Sequence, residues 1–192
     1  MFDVDLAQKY IEQYLIIRDI ESSPSYGIGP SHAPKSLQVF HDAVEAMGVT
    51  DPVSALDFGC GSMAADFLNA LYPGPGVMKY AYDPGVPGLE SASDIPRFVD
   101  LLFCLDVMEH IPEPNVADTL RGLSHLTDHA IFIVHHWTAK AILPNGENAH
   151  VTVKPPEWWL ERMREAGFKD ARIFKVLSTM GDDKPLRTLI IT

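Results

Sequence analysis

Two carboxylates and an imidazole crowd into five residues, Asp106-Val107-Met108-Glu109-His110, and the histidines that follow include His135, His136 and His150. Such side chains exchange protons near neutral pH and hold divalent cations. Asp106, Glu109 and His110 are spaced i, i+3 and i+4, which would set all three on one face of a helical turn. A second grouping lies upstream, where the apolar run ending at Asp57 is followed by Phe58-Gly59-Cys60-Gly61. Two glycines there let the backbone turn sharply and let a ligand approach bare main chain. Asp83 stands 22 residues beyond Gly61. In nucleotide-binding sheets an acidic residue near that separation takes ribose hydroxyls, although a strand-end Asp before Pro84 also starts turns.

The elements that must position these residues are legible from pattern. Apolar runs bounded by glycine or proline predict strands at about 53–58, 77–82, 98–105 and 129–135. Helical periodicity predicts helices at about 4–20, 34–47, 63–71, 114–126 and from Pro155 to Gly167. In the second of these, Leu37, Phe40, Val44 and Met47 form one stripe. Residues 137–153 read as irregular, with a turn at Pro144-Asn145-Gly146. Alternation of this kind implies one α/β domain over residues 1–192, a mostly parallel sheet with helices on both faces. Residues 1–50 form an N-terminal helical segment and 51–192 the core. Two last strands, about 171–177 and 186–191, are joined by a short turn and must run antiparallel. Only 15 residues separate Asp83 from Val99, too few for a full helix, strand and helix, so one crossover is shortened.

Bulk properties narrow the partners. Fifteen basic residues against 26 acidic ones give a net charge of −11, with no basic cluster. That disfavours a phosphate-backbone track and hence a nucleic-acid substrate. No apolar run approaches the ~20 residues of a membrane span. Two cysteines and an acidic N-terminus without a signal-peptide pattern fit a reduced, cytoplasmic protein.

Taken together, Asp57-x-Gly59-x-Gly61, Asp83 and Asp106-Val107-Met108-Glu109-His110-Ile111-Pro112-Glu113 resemble the class I S-adenosylmethionine-dependent methyltransferases. The chain is similar above all to the branch whose fourth strand runs into an "EHIP" sequence, and the likeness extends over about residues 52–192. It implies a Rossmann-like fold, S-adenosylmethionine as cofactor and S-adenosylhomocysteine as product. It further implies that Gly59 and Gly61 face the methionine and ribose, that Asp57 orients their loop and meets the amino group, and that Asp83 holds the ribose. Asp94 would meet the adenine amine and the Leu105 carbonyl the cofactor's amino group. Met63 stands where the family often has a third glycine.

The acceptor implied is a small molecule, methylated at oxygen, with His110, His136 and His150 as catalytic candidates. His135 reads as a satisfied core histidine, with His136 or Trp137 reaching the substrate, and Tyr26 and His32 lie in a loop able to cover the site. Asp106, Glu109, His110 and His150 also resemble the Mg²⁺ sites of some O-methyltransferases of this branch. Two other readings stand beside this one: a metal-assisted RNA 2'-O-methyltransferase and a non-catalytic cofactor-binding or scaffold subunit.

Overall fold

The strand runs are apolar at odd and even positions alike, as they must be when helices cover both faces of a sheet. The computed structural model describes residues 8–13, 15–16, 37–61, 66–180 and 184–192. Helix α1 (Leu37–Ala46) leads into β1 (Ser54–Phe58), α2 (Asp66–Leu71), β2 (Met78–Tyr82) and β3 (Leu101–Leu105). Then follow α3 (Glu113–Ser124), β4 (Ala130–His135), α4 (Pro156–Ala166), β5 (Arg172–Met180) and β6 (Lys184–Ile191). Residues 8–13 and 15–16 are helical as well. The readings placed on Met63, Tyr26 and His32 lie outside the described residues.

The six strands run in the order β2-β1-β3-β4-β6-β5. The first four are parallel, while β6 is antiparallel to both β4 and β5. The expected mixed α/β sheet is therefore present. The shortened crossover is present too: between β2 and β3 the chain makes only a 3₁₀ turn at Ala92–Asp94, leaving β2 at the sheet's edge.

Period-two alternation divides the core. Leu101, Phe103, Leu105, Ile131 and Ile133 face α1 and α2, where Phe40, Phe67 and Phe103 meet edge to face. Leu102, Cys104, Phe132 and Val134 face the other way, onto α3 and α4, with fully buried Trp159 among them. Of the adjacent pair Trp158–Trp159, one is thus core, and the other lies partly exposed beneath the Lys154 and Arg162 side chains. Ser124 Oγ donates to the Ala166 carbonyl at 2.7 Å, bracing the end of α3 against the end of α4. No helix among the described residues is long and apolar enough to cross a membrane.

The parallel strands run from β1 outward in both directions, to β2 on one side and β3 on the other. At that reversal the crossovers leave on opposite faces and a crevice opens beyond the strands' carboxyl ends. The glycine turn after β1 and the acidic stretch after β3 both end there.

Candidate functional site

The floor of the crevice is the turn after β1. The N–H groups of Gly59 and Cys60 both donate to the Tyr82 carbonyl, at 2.7 and 3.2 Å, which folds the turn over the end of β2. Gly59 has φ +76°, and a Cβ placed there would sit 2.4 Å from Val107 Cγ2. Only a residue without a side chain fits between that backbone and Val107. Gly61 N–H donates to Asp83 Oδ2 at 2.8 Å, and Gly85 N–H donates to Oδ1 at 2.8 Å. A carboxylate can accept about four hydrogen bonds, so Asp83 retains acceptor capacity towards a ligand while it caps the turn.

Above this floor is a cavity of about 730 Å³, bounded by Gly59, Gly61 and Asp83 on one side and by Asp106, His110, His135 and His150 on the other. Phe58 and Tyr82, stacked with ring centroids 5.0 Å apart, form an apolar wall between them. Tyr10, Ile11 and residues 138–141 also line it. The Tyr10 hydroxyl donates to Glu147 Oε2 at 2.7 Å, and Lys9 Nζ lies 3.6 Å from the same oxygen. Burial and the neighbouring Glu147 push the Tyr10 phenol up to about 12. The N-terminal helical segment is thereby strapped to the turn that holds Asn145 and Glu147.

Of the three imidazoles on the wall, His150 touches the other two. His150 lies 4.9 Å, centroid to centroid, from both His110 and His135. His110 Nδ1 faces the Ala149 carbonyl at 2.9 Å, and His150 Nδ1 faces the Trp137 carbonyl at 2.6 Å. A carbonyl only accepts, so both rings carry their proton on Nδ1 and their lone pair on Nε2. Burial, then the neighbouring His150, drops His110 to about 4, and burial also lowers His150. Burial thus favours the neutral form of both rings. His135 Nε2 lies 3.3 Å from Asp106 Oδ1, and Arg187 of β6 approaches Asp106 Oδ2 at 3.7 Å.

The structure redistributes several of the residues singled out from sequence. Asp57 is fully buried beneath the glycine turn and off the cavity wall, its carboxyl pushed up to about 8 by burial and then by Asp83. It lies beneath the turn and does not line the cavity where a cofactor amino group was expected to meet it. Asp94 is exposed on its 3₁₀ turn and does not line the cavity. The Leu105 side chain belongs to the α1/α2 core, at the last position of β3.

His136 requires the clearest correction. Consecutive strand residues face opposite sides of a sheet, and His135 takes the cavity side. His136 is buried with Nδ1 2.9 Å from the Lys154 carbonyl and Nε2 2.7 Å from Thr188 Oγ1, a satisfied structural histidine. Asp106 is not on a helical face with Glu109 and His110 either. It takes φ +57° where β3 ends, ahead of the 3₁₀ turn Met108–His110. Arg187 and Tyr10 carried no motif and emerge only from the tertiary structure.

The expected Mg²⁺ ligands are likewise divided. Among the described residues the possible ligand atoms form two trios, Glu109–His110–His150 and Asp106–Glu109–His135. Mg²⁺ demands near-octahedral oxygen ligands. The first trio offers two nitrogens and one carboxyl, and burial followed by Asp106 raises that Glu109 carboxyl well above the usual range. Asp106, the remaining carboxylate, faces Arg187 and His135. Glu109 belongs to both trios, and neither of its buried carboxyl oxygens has a hydrogen-bond partner among the described residues.

No family model and no curated protein sequence matches the chain. Solved structures do match. The N-terminal domain of EvdMO1, determined in the presence of S-adenosylhomocysteine and D-fucose, superposes with TM-score 0.54 at 13% identity, over 85% of this chain and 82% of that one. The 1,6-didemethyltoxoflavin N1-methyltransferase of Burkholderia thailandensis, with its substrate and S-adenosylhomocysteine, gives 0.55 at 13%, over 97% and 85%. The methyltransferase domain of bacterial CtHen1 gives 0.55 at 12%, over 82% and 96%. The fold is that of the class I S-adenosylmethionine-dependent methyltransferases.

Proposed function

We propose that this protein transfers a methyl group from S-adenosylmethionine to an oxygen of a small hydroxyl-bearing molecule. One observation carries the reading: a glycine turn capped by Asp83 and a cluster of three imidazoles face each other across a single cavity. Gly59 and Gly61 put bare backbone on the cavity wall, where a ligand can approach it closely, and the cavity's volume of about 730 Å³ lies within the range of ligand sites. Gly59 and Gly61 would lie against the cofactor's methionine and ribose, and Asp83 would accept from the ribose hydroxyls. The cofactor supplies a sulfonium methyl: the acceptor oxygen bonds to that carbon as the carbon–sulfur bond breaks and its electron pair returns to sulfur.

The chain's own residues do the rest. Tyr10, Ile11 and the 138–141 loop border the cavity, and their side chains would help hold the two reactants in line. His150, with Nδ1–H bound to Trp137, takes the hydroxyl proton on Nε2 and later releases it to solvent. His110 is held beside it by Ala149 as a neutral neighbour. A nucleic-acid acceptor is disfavoured by the net charge of −11.

Calorimetry with S-adenosylmethionine, S-adenosylhomocysteine and NAD tests the cofactor. We expect binding of the first two and none of NAD; absence of S-adenosylhomocysteine binding would remove the reading. Incubation of a metabolite extract with labelled cofactor, read by mass shift, then separates an enzyme from a non-catalytic cofactor-binding subunit.

A further inference from the structure

The chain from β2 to β3 makes only a 3₁₀ turn, and Phe58, Tyr80 and Tyr82 at that end of the sheet stay half-buried. They share a face with α3, whose Val116 and Leu120 belong to the core cluster that Phe58 and Tyr82 border. The cavity extends along this face and reaches α3 itself, at Asn115 and Thr119. Pro112, Asn115 and Thr119 recur at i, i+3 and i+7, one stripe of the helix turned to the cavity. Val116, Leu120 and Leu123 form the stripe turned to the core.

Asn115 and Thr119 therefore stand beside the apolar wall of Phe58, Tyr82, Val107 and Ile111. Elsewhere in the cavity Asp83 caps the glycine turn, Tyr10 donates to Glu147, and Asp106 and the histidines form their own group. Asp94, the residue the resemblance set against an adenine amine, does not line the cavity. Asn115 is fully buried, and its amide offers an acceptor oxygen and two N–H donors. Thr119 Oγ1 donates its one proton to the Asn115 carbonyl at 3.0 Å, which leaves that oxygen an acceptor towards the cavity.

We infer that Asn115, with Thr119 beside it, is the specificity-determining residue for the cofactor's base and reads adenine through its amino group and an adjacent ring nitrogen. The chemistry is complementary: the exocyclic amine donates twice and the ring nitrogen accepts, the pairing asparagine makes with this base. The stacked Phe58–Tyr82 wall suits the flat ring. Tyr82 directly precedes Asp83, and a base is joined to its ribose by a single bond, so that wall is where the ring must fall. Asn115 takes the part expected of Asp94, from α3 and not from the crossover. The inference rests on the cofactor reading above and deepens it.

Calorimetry with S-adenosylhomocysteine and its 6-deamino analogue, purine in place of adenine, tests the assignment. The parent should bind S-adenosylhomocysteine at least about tenfold more tightly, because a site built around an amino group rejects a base that lacks it. In Asn115→Ala that ratio should fall to about one or two, through lost S-adenosylhomocysteine affinity with the analogue little changed. Thr119→Val keeps the shape of the side chain and should lower the ratio about threefold.

A parent ratio near one overturns the inference. So does a ratio unchanged in Asn115→Ala, or in Thr119→Val should only that variant fold. A parent that binds neither compound removes the cofactor reading as well, so the two failures are told apart.

Discussion

Gly61 and Asp83 are joined by a 2.8 Å hydrogen bond from the backbone N–H of the turn after β1 to the carboxylate at the end of β2. One carboxylate thus shapes the cradle and faces the space above it. The same group that would bind a ribose also holds the floor on which the ribose would rest.

Asp83→Ala should therefore weaken S-adenosylhomocysteine by about ten- to a hundredfold, the effect of losing charge-assisted hydrogen bonds worth ~1.5–3 kcal/mol. Calorimetry checks it. Affinity equal to the parent's would show that the ribose is held elsewhere.

Asp57 predicts a pH dependence of stability. Its carboxyl is raised to about 8 in the folded chain from an ordinary value of 3.8. A carboxyl raised on folding favours the native state most at low pH, and that advantage is lost as pH rises from the unfolded value through the folded one. Asp57→Asn cannot ionise and escapes the loss. The melting temperature of Asp57→Asn relative to parent should climb by a few °C between pH 5 and pH 8. A difference independent of pH would mean that Asp57 is ionised in the folded protein.

The adjacent histidines should separate structure from chemistry. His136→Ala strands the Thr188 hydroxyl and the Lys154 carbonyl and should cost about 1–3 kcal/mol, seen as a lower melting temperature with S-adenosylhomocysteine affinity retained. His150→Ala should keep most of the stability and lose methyl transfer once an acceptor is in hand. Loss of cofactor affinity in His136→Ala would put that residue back at the site.

Much of this was legible before the fold was known. Strand runs buried on both faces, glycine stops and the short tail turn dictate a mixed α/β sheet, because hydrophobic period and chain reach leave few other arrangements. The shortened crossover follows from counting residues between Asp83 and Val99. Gly59, Gly61 and Asp83 carry a local backbone requirement and a separation, and the structure brings them to one wall.

The other side of the cavity was less legible. His135 and His136 are equivalent in sequence, and only the pairing of β4 with β6 decides which one faces the cavity and which meets Thr188. Asp106 was read as part of a helical face, but the left-handed turn that ends β3 sends it to Arg187, 81 positions away in the chain. Sequence by itself determined the sheet and the glycine cradle, because local conformation and short-range spacing encode them. The tertiary structure alone decided the imidazole cluster and its proton placement, because strand register and backbone carbonyls distant in sequence set which nitrogen keeps its lone pair.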